Sequence, residues 1–322
     1  MSAMSRQQRV KGDAFFAEAE KKLKKSTWFA SSTEAKNEEA AELYEKSANA
    51  YKVGHFYDEA GNSYMKAAEI NRDKLSNLNE ASKSLSSAGS CFKKSSPDKA
   101  IEAYRSAVTL LCDAGRLTQA AKLSKEIAEL YENDTAENEE HASNSTVLAI
   151  ESFEQAAELF GMEEAKSQAS QCLAKVAELS SAQLNPPDLL RAAQIYEDLG
   201  KNCLESNLLK YNAKGYFVQA IMCHLANGDA IAGAQACSRY ENLDFTFRDS
   251  REGKFCANLI ECVEQFDEDG FSTICFEYDR ISKLDPWKTT MLVKVKRSIA
   301  EQTGGGDDIG GDVMDGDDVD LT

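Results

Sequence analysis

The sequence predicts an all-α chain, a solenoid of helical hairpins followed by a C-terminal helical bundle and a disordered acidic tail. Three observations carry that expectation. The stretch Ser96–Gly115 is one complete amphipathic helix with both ends marked. Ser96 offers a capping hydroxyl, Pro97 fits the first helical position, and Gly115 supplies the left-handed residue that ends a helix. Ala100, Ile101, Tyr104, Ala107, Val108 and Leu111 share one face, the alanines letting a neighbouring helix come close. Second, the unit recurs. Aromatic residues at 64, 104, 153 and 196 stand in matching frames, and Ala48/Tyr51, Ala88/Phe92 and Ala128/Tyr131 repeat with alanines 40 residues apart. Third, four prolines and no sustained two-residue alternation leave no material for a substantial sheet.

The repeating unit is therefore a helix pair with a period near 40, longer than the roughly 34 residues of tetratricopeptide repeats but of that kind. Each pair buries its apolar face only by stacking on the next. In chain order, a first helix spans 5–25, with Phe15, Phe16, Ala19 and Leu23 as its stripe. Ser26–Thr33 reads as a loop carrying Trp28 and Phe29. Hairpins follow at 38–52 with 55–71, 77–94 with 97–113, 117–132 with 147–160, and 163–182 with 188–199. The polar segment 133–146 reads as a connector. Further helices are expected at 208–226, 229–240, 249–266, 269–282 and 286–301, the last opened by Asp285-Pro286 with Trp287, Met291, Val295 and Ile299 facing inward. The domain reading is 1–240 solenoid, 241–302 helical bundle, and 303–322 a Gly/Asp tail too poor in apolar residues to order.

Composition excludes several classes. The net charge is −17, and seven aspartates in the last 16 residues leave −10 on the rest, so nucleic acid is not an expected partner. No run of about 18 apolar residues is present to span a membrane, and the N-terminus has no secretory apolar core. Nine scattered cysteines with no C-x-x-C pair point to a reducing, cytoplasmic setting. Three histidines, at 55, 141 and 224, lie far apart without ligand spacing, and no phosphate-binding or nucleophile motif occurs. No catalytic residue, metal site or cofactor is expected; the chain is read as a binding protein.

Four blocks carry a family resemblance: Asp113–Lys122 (DAGRLTQAAK), Leu208–Phe217 (LLKYNAKGYF), Asp249–Glu252 (DSRE) and Asp279–Leu292 (DRISKLDPWKTTML). They resemble the soluble N-ethylmaleimide-sensitive factor attachment proteins, closest to the α type, over nearly the whole chain. The resemblance implies a non-enzymatic adaptor that wraps an assembled SNARE four-helix bundle and recruits and stimulates a hexameric AAA ATPase, NSF. It implies a cytoplasmic protein peripherally associated with membranes. Matching positions place Lys93, Lys94, Arg116, Lys122, Lys210, Lys214 and Arg251 on the SNARE-facing side, although Gln171 replaces the family's usual lysine. Such a basic stripe complements an acidic rod. Trp28 and Phe29 fall where the family has a membrane-touching loop, with Lys21, Lys22, Lys24 and Lys25 just before it to attract anionic lipid. Asp320 and Leu321 match the ATPase-stimulating end, and Glu252, Glu261 and Glu264 are further ATPase-contact candidates. The alternative reading is a generic tetratricopeptide-like scaffold or co-chaperone gripping peptide segments; a period near 34 and a lysine–asparagine clamp would mark it, and neither is found.

Overall fold

The computed structural model describes residues 2–25, 30–134 and 138–302. Among these there are fifteen α-helices, one 3-10 turn and no strand. The chain divides within the eighth helix into two compact units, Met1–Cys172 and Leu173–Thr322.

In the first unit, α1 (Ala3–Lys24), α2 (Ala30–Val53), α3 (Tyr57–Asp73), α4 (Leu78–Phe92), α5 (Pro97–Asp113), α6 (Leu117–Glu132) and α7 (Glu139–Met162) each pack on the next in sequence. α8 (Lys166–Ala182) carries the chain across the division. The order is that of stacked hairpins, as the period of the sequence requires. The alanines of the repeat, 60, 67, 81, 88, 100, 107, 120, 128, 149 and 156, are completely buried. Closer still are the glycines. A Cβ on Gly89 of α4 would lie 2.4 Å from the Tyr104 ring of α5, and one on Gly61 of α3 would lie 2.4 Å from the Phe92 ring of α4. The same pairing recurs between Gly12 of α1 and Tyr51 of α2 at 2.7 Å. Tyr51, Phe92 and Tyr104 therefore sit on bare backbone, and no larger residue fits beneath them.

The hairpin turns share one closure. Phe56, Arg116 and Ala165 donate their N–H to the carbonyls of Tyr51, Leu111 and Phe160 at 2.9, 2.8 and 2.9 Å. The residues just before them, His55, Gly115 and Glu164, have φ of 64°, 68° and 55°. This is the Schellman ending, in which a left-handed residue lets the chain satisfy the last helical carbonyls and reverse. Glycine takes that position at 115, as expected from the sequence. His55 and Glu164 occupy it at a cost that a glycine would avoid.

Three stretches differ most from expectation, and one cap lacks its bond. α2 starts at Ala30, inside the stretch read as a loop, and Lys36 from its second turn donates to the Leu23 and Lys25 carbonyls that end α1. α7 starts at Glu139, taking up most of the supposed connector. Asn138 caps it through the His141 N–H at 2.8 Å, and Glu139 and Glu140 suit the positive end of the helix. Asp134 then accepts Ser145 Oγ at 2.7 Å and lies 3.0 Å from His141 Nε2, which fastens the polar segment to the helix. The stretch read as one helix over 208–226 is a turn, a 3-10 segment at Lys210–Asn212 and then a helix from Ala213. Ser96 does occupy the cap position of α5, but its hydroxyl makes no capping bond.

The second unit holds α9 (Leu189–Leu204), α10 (Ala213–Ala226), α11 (Ala230–Leu243), α12 (Phe245–Asp249), α13 (Arg251–Gln265), α14 (Glu268–Ile281) and α15 (Pro286–Gln302). α10 is its axis. Phe217, Val218, Ala220, Ile221, Met222, Cys223 and Leu225 are all buried, and α9, α11, α13 and α15 pack around it. A helix apolar on every side is stable only in such a position. Gly200 of α9 again receives a ring, here Phe217, at 2.4 Å from the position of a Cβ. Asp285 caps α15 through the Lys288 N–H at 2.8 Å, and Trp287, Met291, Val295 and Ile299 are buried as expected. The Trp287 indole N–H donates to Ser181 Oγ at 2.9 Å.

One buried carboxylate ties α9 to α11. Glu197 accepts from Lys201 at 2.7 Å, Arg239 at 2.8 Å and the Tyr240 hydroxyl at 2.7 Å. Burial pushes its pKa up, but those three donors outweigh burial and hold it down at about 2.

Two outcomes follow from this packing. Helix propensity alone makes Gly89→Ala stabilising by about 1 kcal/mol. The Tyr104 ring, fully buried, has nowhere to go, so overpacking at about 1–3 kcal/mol should win. Urea unfolding should show a net loss; a gain would refute the close seat. Because the Glu197 pKa is depressed, its contribution is complete above the unfolded value near 4.5 and is lost as pH falls toward 2. Glu197→Gln should lower stability at pH 7 by about 2 kcal/mol and flatten the acid limb between pH 4.5 and 2 in pH-dependent denaturation.

Candidate partner-binding surfaces

In the first unit the expected residues cluster at the ends of successive helices. Lys93 follows the last residue of α4, where a cation meets the negative end of the helix. Its ammonium lies 2.6 Å from Glu126 and 3.9 Å from Glu129, both on α6, and the Glu126 hydrogen bond pushes its pKa up. Lys94 sits 4.7 Å above the Tyr57 ring. Arg116 is exposed in the turn before α6, and Lys122 is exposed on α6 itself. Lys122 is one turn before Glu126, so the two share a face of α6. Through Glu126 the structure thus brings Lys93 and Lys122 to one side of the α4–α6 layer. They differ in availability: Lys93 is held by two carboxylates, whereas no ion-pair partner is seen for Lys122 or Arg116 among the described residues.

In the second unit two of the expected cations, Lys214 and Arg251, come together at Glu252, and Lys210 lies just before α10. Lys210 lies in the 3-10 turn, 5.5 Å over Tyr211. Lys214, in the first turn of α10, donates to the Thr246 carbonyl at 3.2 Å. Arg251 opens α13, pairs with Glu252 at 3.0 Å and lies 5.9 Å over the Tyr278 ring. Burial raises the Glu252 pKa, but a backbone hydrogen bond, the Arg251 pair and the field of Lys214 bring the net value below its ordinary one. Glu252 stands beside Arg251 and within the field of Lys214. Glu261 and Glu264 lie exposed on α13, Glu261 accepting from Gln265 at 3.1 Å. Trp28, Phe29, Asp320 and Leu321 lie outside the described residues.

The sequence reading missed a set of bare apolar side chains in this unit. Leu208 is 90% exposed, Tyr211 74% and Phe245 83%. Their signal was the break in helical spacing before Ala213 and the unplaced Asp244-Phe245 pair between two expected helices. No cluster of histidine, cysteine and carboxylate fit to hold a metal is present among the described residues.

The family model described as "Soluble NSF attachment protein, SNAP" matches residues 10–300. The chain belongs to the soluble NSF attachment protein family. Its relatives include an alpha-soluble NSF attachment protein of Vitis vinifera, 40% identical over 289 residues, covering 90% of this chain and 94% of that one. The mouse (Mus musculus) alpha protein is 38% identical, covering 89% and 94%. A vesicular-fusion protein SEC17 of Komagataella phaffii is 33% identical, covering 90% and 95%. The match runs through both compact units of this attachment protein.

Proposed function

We propose that this chain is an adaptor that binds assembled SNARE bundles and presents them to NSF, a hexameric AAA ATPase, for disassembly in vesicle fusion. Family membership over residues 10–300 supports the attachment to NSF. The observation that carries the SNARE half of the reading is the arrangement of cations on a chain of net charge −17. Lys122 and Arg116 in one unit, and Lys210 and Lys214 in the other, stand exposed or half-exposed in the turns before α6 and α10 and in the first two turns of those helices. Opposite charge orients a rod before apolar contacts form, and it rejects partners that are themselves basic. Lys93, Lys94 and Arg251 belong to the same set in this reading, each tempered by its intramolecular partner.

The adaptor holds no chemistry of its own in this reading; it supplies binding and the ATPase supplies work. Trp28 and Phe29, with Lys21, Lys22, Lys24 and Lys25, touch a membrane surface, and Asp320-Leu321 together with Glu252, Glu261 and Glu264 meet the ATPase. The cell compartment is the cytoplasm, with peripheral attachment to membranes. The domain reading of a 1–240 solenoid followed by a 241–302 bundle stays part of the proposal.

Two experiments test this function. Leu321→Ala should leave sedimentation with a purified SNARE bundle unchanged and lower NSF-driven disassembly about tenfold; equal losses in both assays would remove the tail's role. Lys122→Ala should weaken capture more than Lys93→Ala, because Lys93 is already engaged by Glu126 and Glu129. Each loss should shrink as salt rises toward about 0.5 M. A salt-independent effect would sink the electrostatic part of the reading.

A further inference from the structure

Phe245 is held out to solvent by a corner that is otherwise fixed. Its side chain is 83% exposed. On one side Asp244 Oδ1 accepts from the Thr246 N–H at 2.9 Å and from the Thr246 hydroxyl at 2.7 Å, closing the turn that begins α12. Two residues on, Phe247 is completely buried, its ring edge-on to Phe217 at 5.8 Å and to Tyr240 at 6.4 Å. Behind it, a Cβ on Gly253 would come within 2.1 Å of the Phe247 carbonyl, so the glycine lets α13 close onto the corner. Lys214 joins the corner to α10 by its bond to the Thr246 carbonyl at 3.2 Å.

A single exposed apolar residue needs no explanation in general. On a mobile surface such a ring folds back against its neighbours. Here the backbone on both sides is pinned, and the ring remains bare beside Lys214. A rigid aromatic offers contact area at small entropic cost, which is why aromatics dominate the energetics of interfaces.

We propose that Phe245 is an aromatic anchor for the assembled SNARE bundle, docking on its apolar surface side chains while Lys214 and Arg251 engage its acidic ones. The inference rests on the adaptor reading above. Charge favours this occupant over a second copy of the chain, because a like patch would set Lys214, which is bonded only to a carbonyl, against its own equivalent. The two contributions also separate by their physics. Burial of the ring does not depend on ionic strength in the way that an exposed ion pair does.

The test uses the full chain and a bundle assembled from SNARE cytosolic segments. Phe245→Ser should weaken capture about tenfold at low and at high salt alike, with the melting temperature unchanged and Phe245→Leu close to wild type. Lys214→Ala should instead change the salt dependence. In a second measurement, Phe245→Trp adds a reporter to a chain with two other tryptophans, and its emission should shift to the blue when the bundle is added. Wild-type capture with an unaffected Phe245→Ser overturns the anchor and leaves the adaptor reading standing. So does an unshifted emission from the Phe245→Trp variant, should the serine variant unfold. Failure of the wild type to capture the bundle removes the adaptor reading, and the anchor with it.

Discussion

The packing depends on aromatic rings seated directly on helix backbone. Tyr51 over Gly12, Phe92 over Gly61, Tyr104 over Gly89 and Phe217 over Gly200 are the same contact made four times, each across neighbouring helices. A ring in that seat touches the partner helix itself, so its position is fixed to within a few tenths of an ångström. The buried alanines on either side keep the remaining approach equally short. Close helices leave little freedom in how their ends can be joined, and the left-handed closure at His55, Gly115, Glu164, Gly228 and Phe266 is one solution used five times among the described residues. The residues that follow these turns, Arg116 among them, inherit their placement from that geometry.

This hierarchy explains what could be read from the sequence. The apolar faces were legible because helical spacing is a local property: Ala100, Tyr104 and Leu111 must share a side if the segment is helical at all. Gly115 was legible as a turn for the same reason. His55 and Glu164 were not, since nothing local announces that a histidine or glutamate takes a left-handed conformation; the stacking of the helices demands it. The glycine seats were hidden too, because Gly89 and Tyr104 belong to different helices and only their packing reveals why the glycine is needed. The start of α7 failed on composition: a polar, acidic stretch reads as a loop until Asn138 is seen capping it.

The candidate surfaces divide along the same line. Which residues are charged is plain from the sequence. Which charges are already spoken for is a long-range fact. Lys93 meets Glu126 thirty-three residues later, and Lys214 reaches the Thr246 carbonyl thirty-two residues on. Lys93 and Lys122 look equivalent as letters and differ as physical groups, one clamped and one open. Glu252, an ATPase-contact candidate by resemblance, proves to be paired with Arg251 and to lie in the field of Lys214.

At the Glu252 corner one carboxylate stands beside two cations of an acidic chain. A bare run of cations would neutralise itself by recruiting distant carboxylates from a chain with 54 aspartates and glutamates. Placing one carboxylate among the cations satisfies them locally and holds their side chains in position, at the cost of some net charge. What such a corner loses in long-range attraction has to be replaced by contact at short range. Apolar groups do this without adding charge, but only if they cannot collapse onto their own protein. Asp244, Phe247 and Gly253 prevent that collapse at Phe245, and they do so with the same devices, a side-chain cap, a buried ring and a missing Cβ, that build the helical core beneath it.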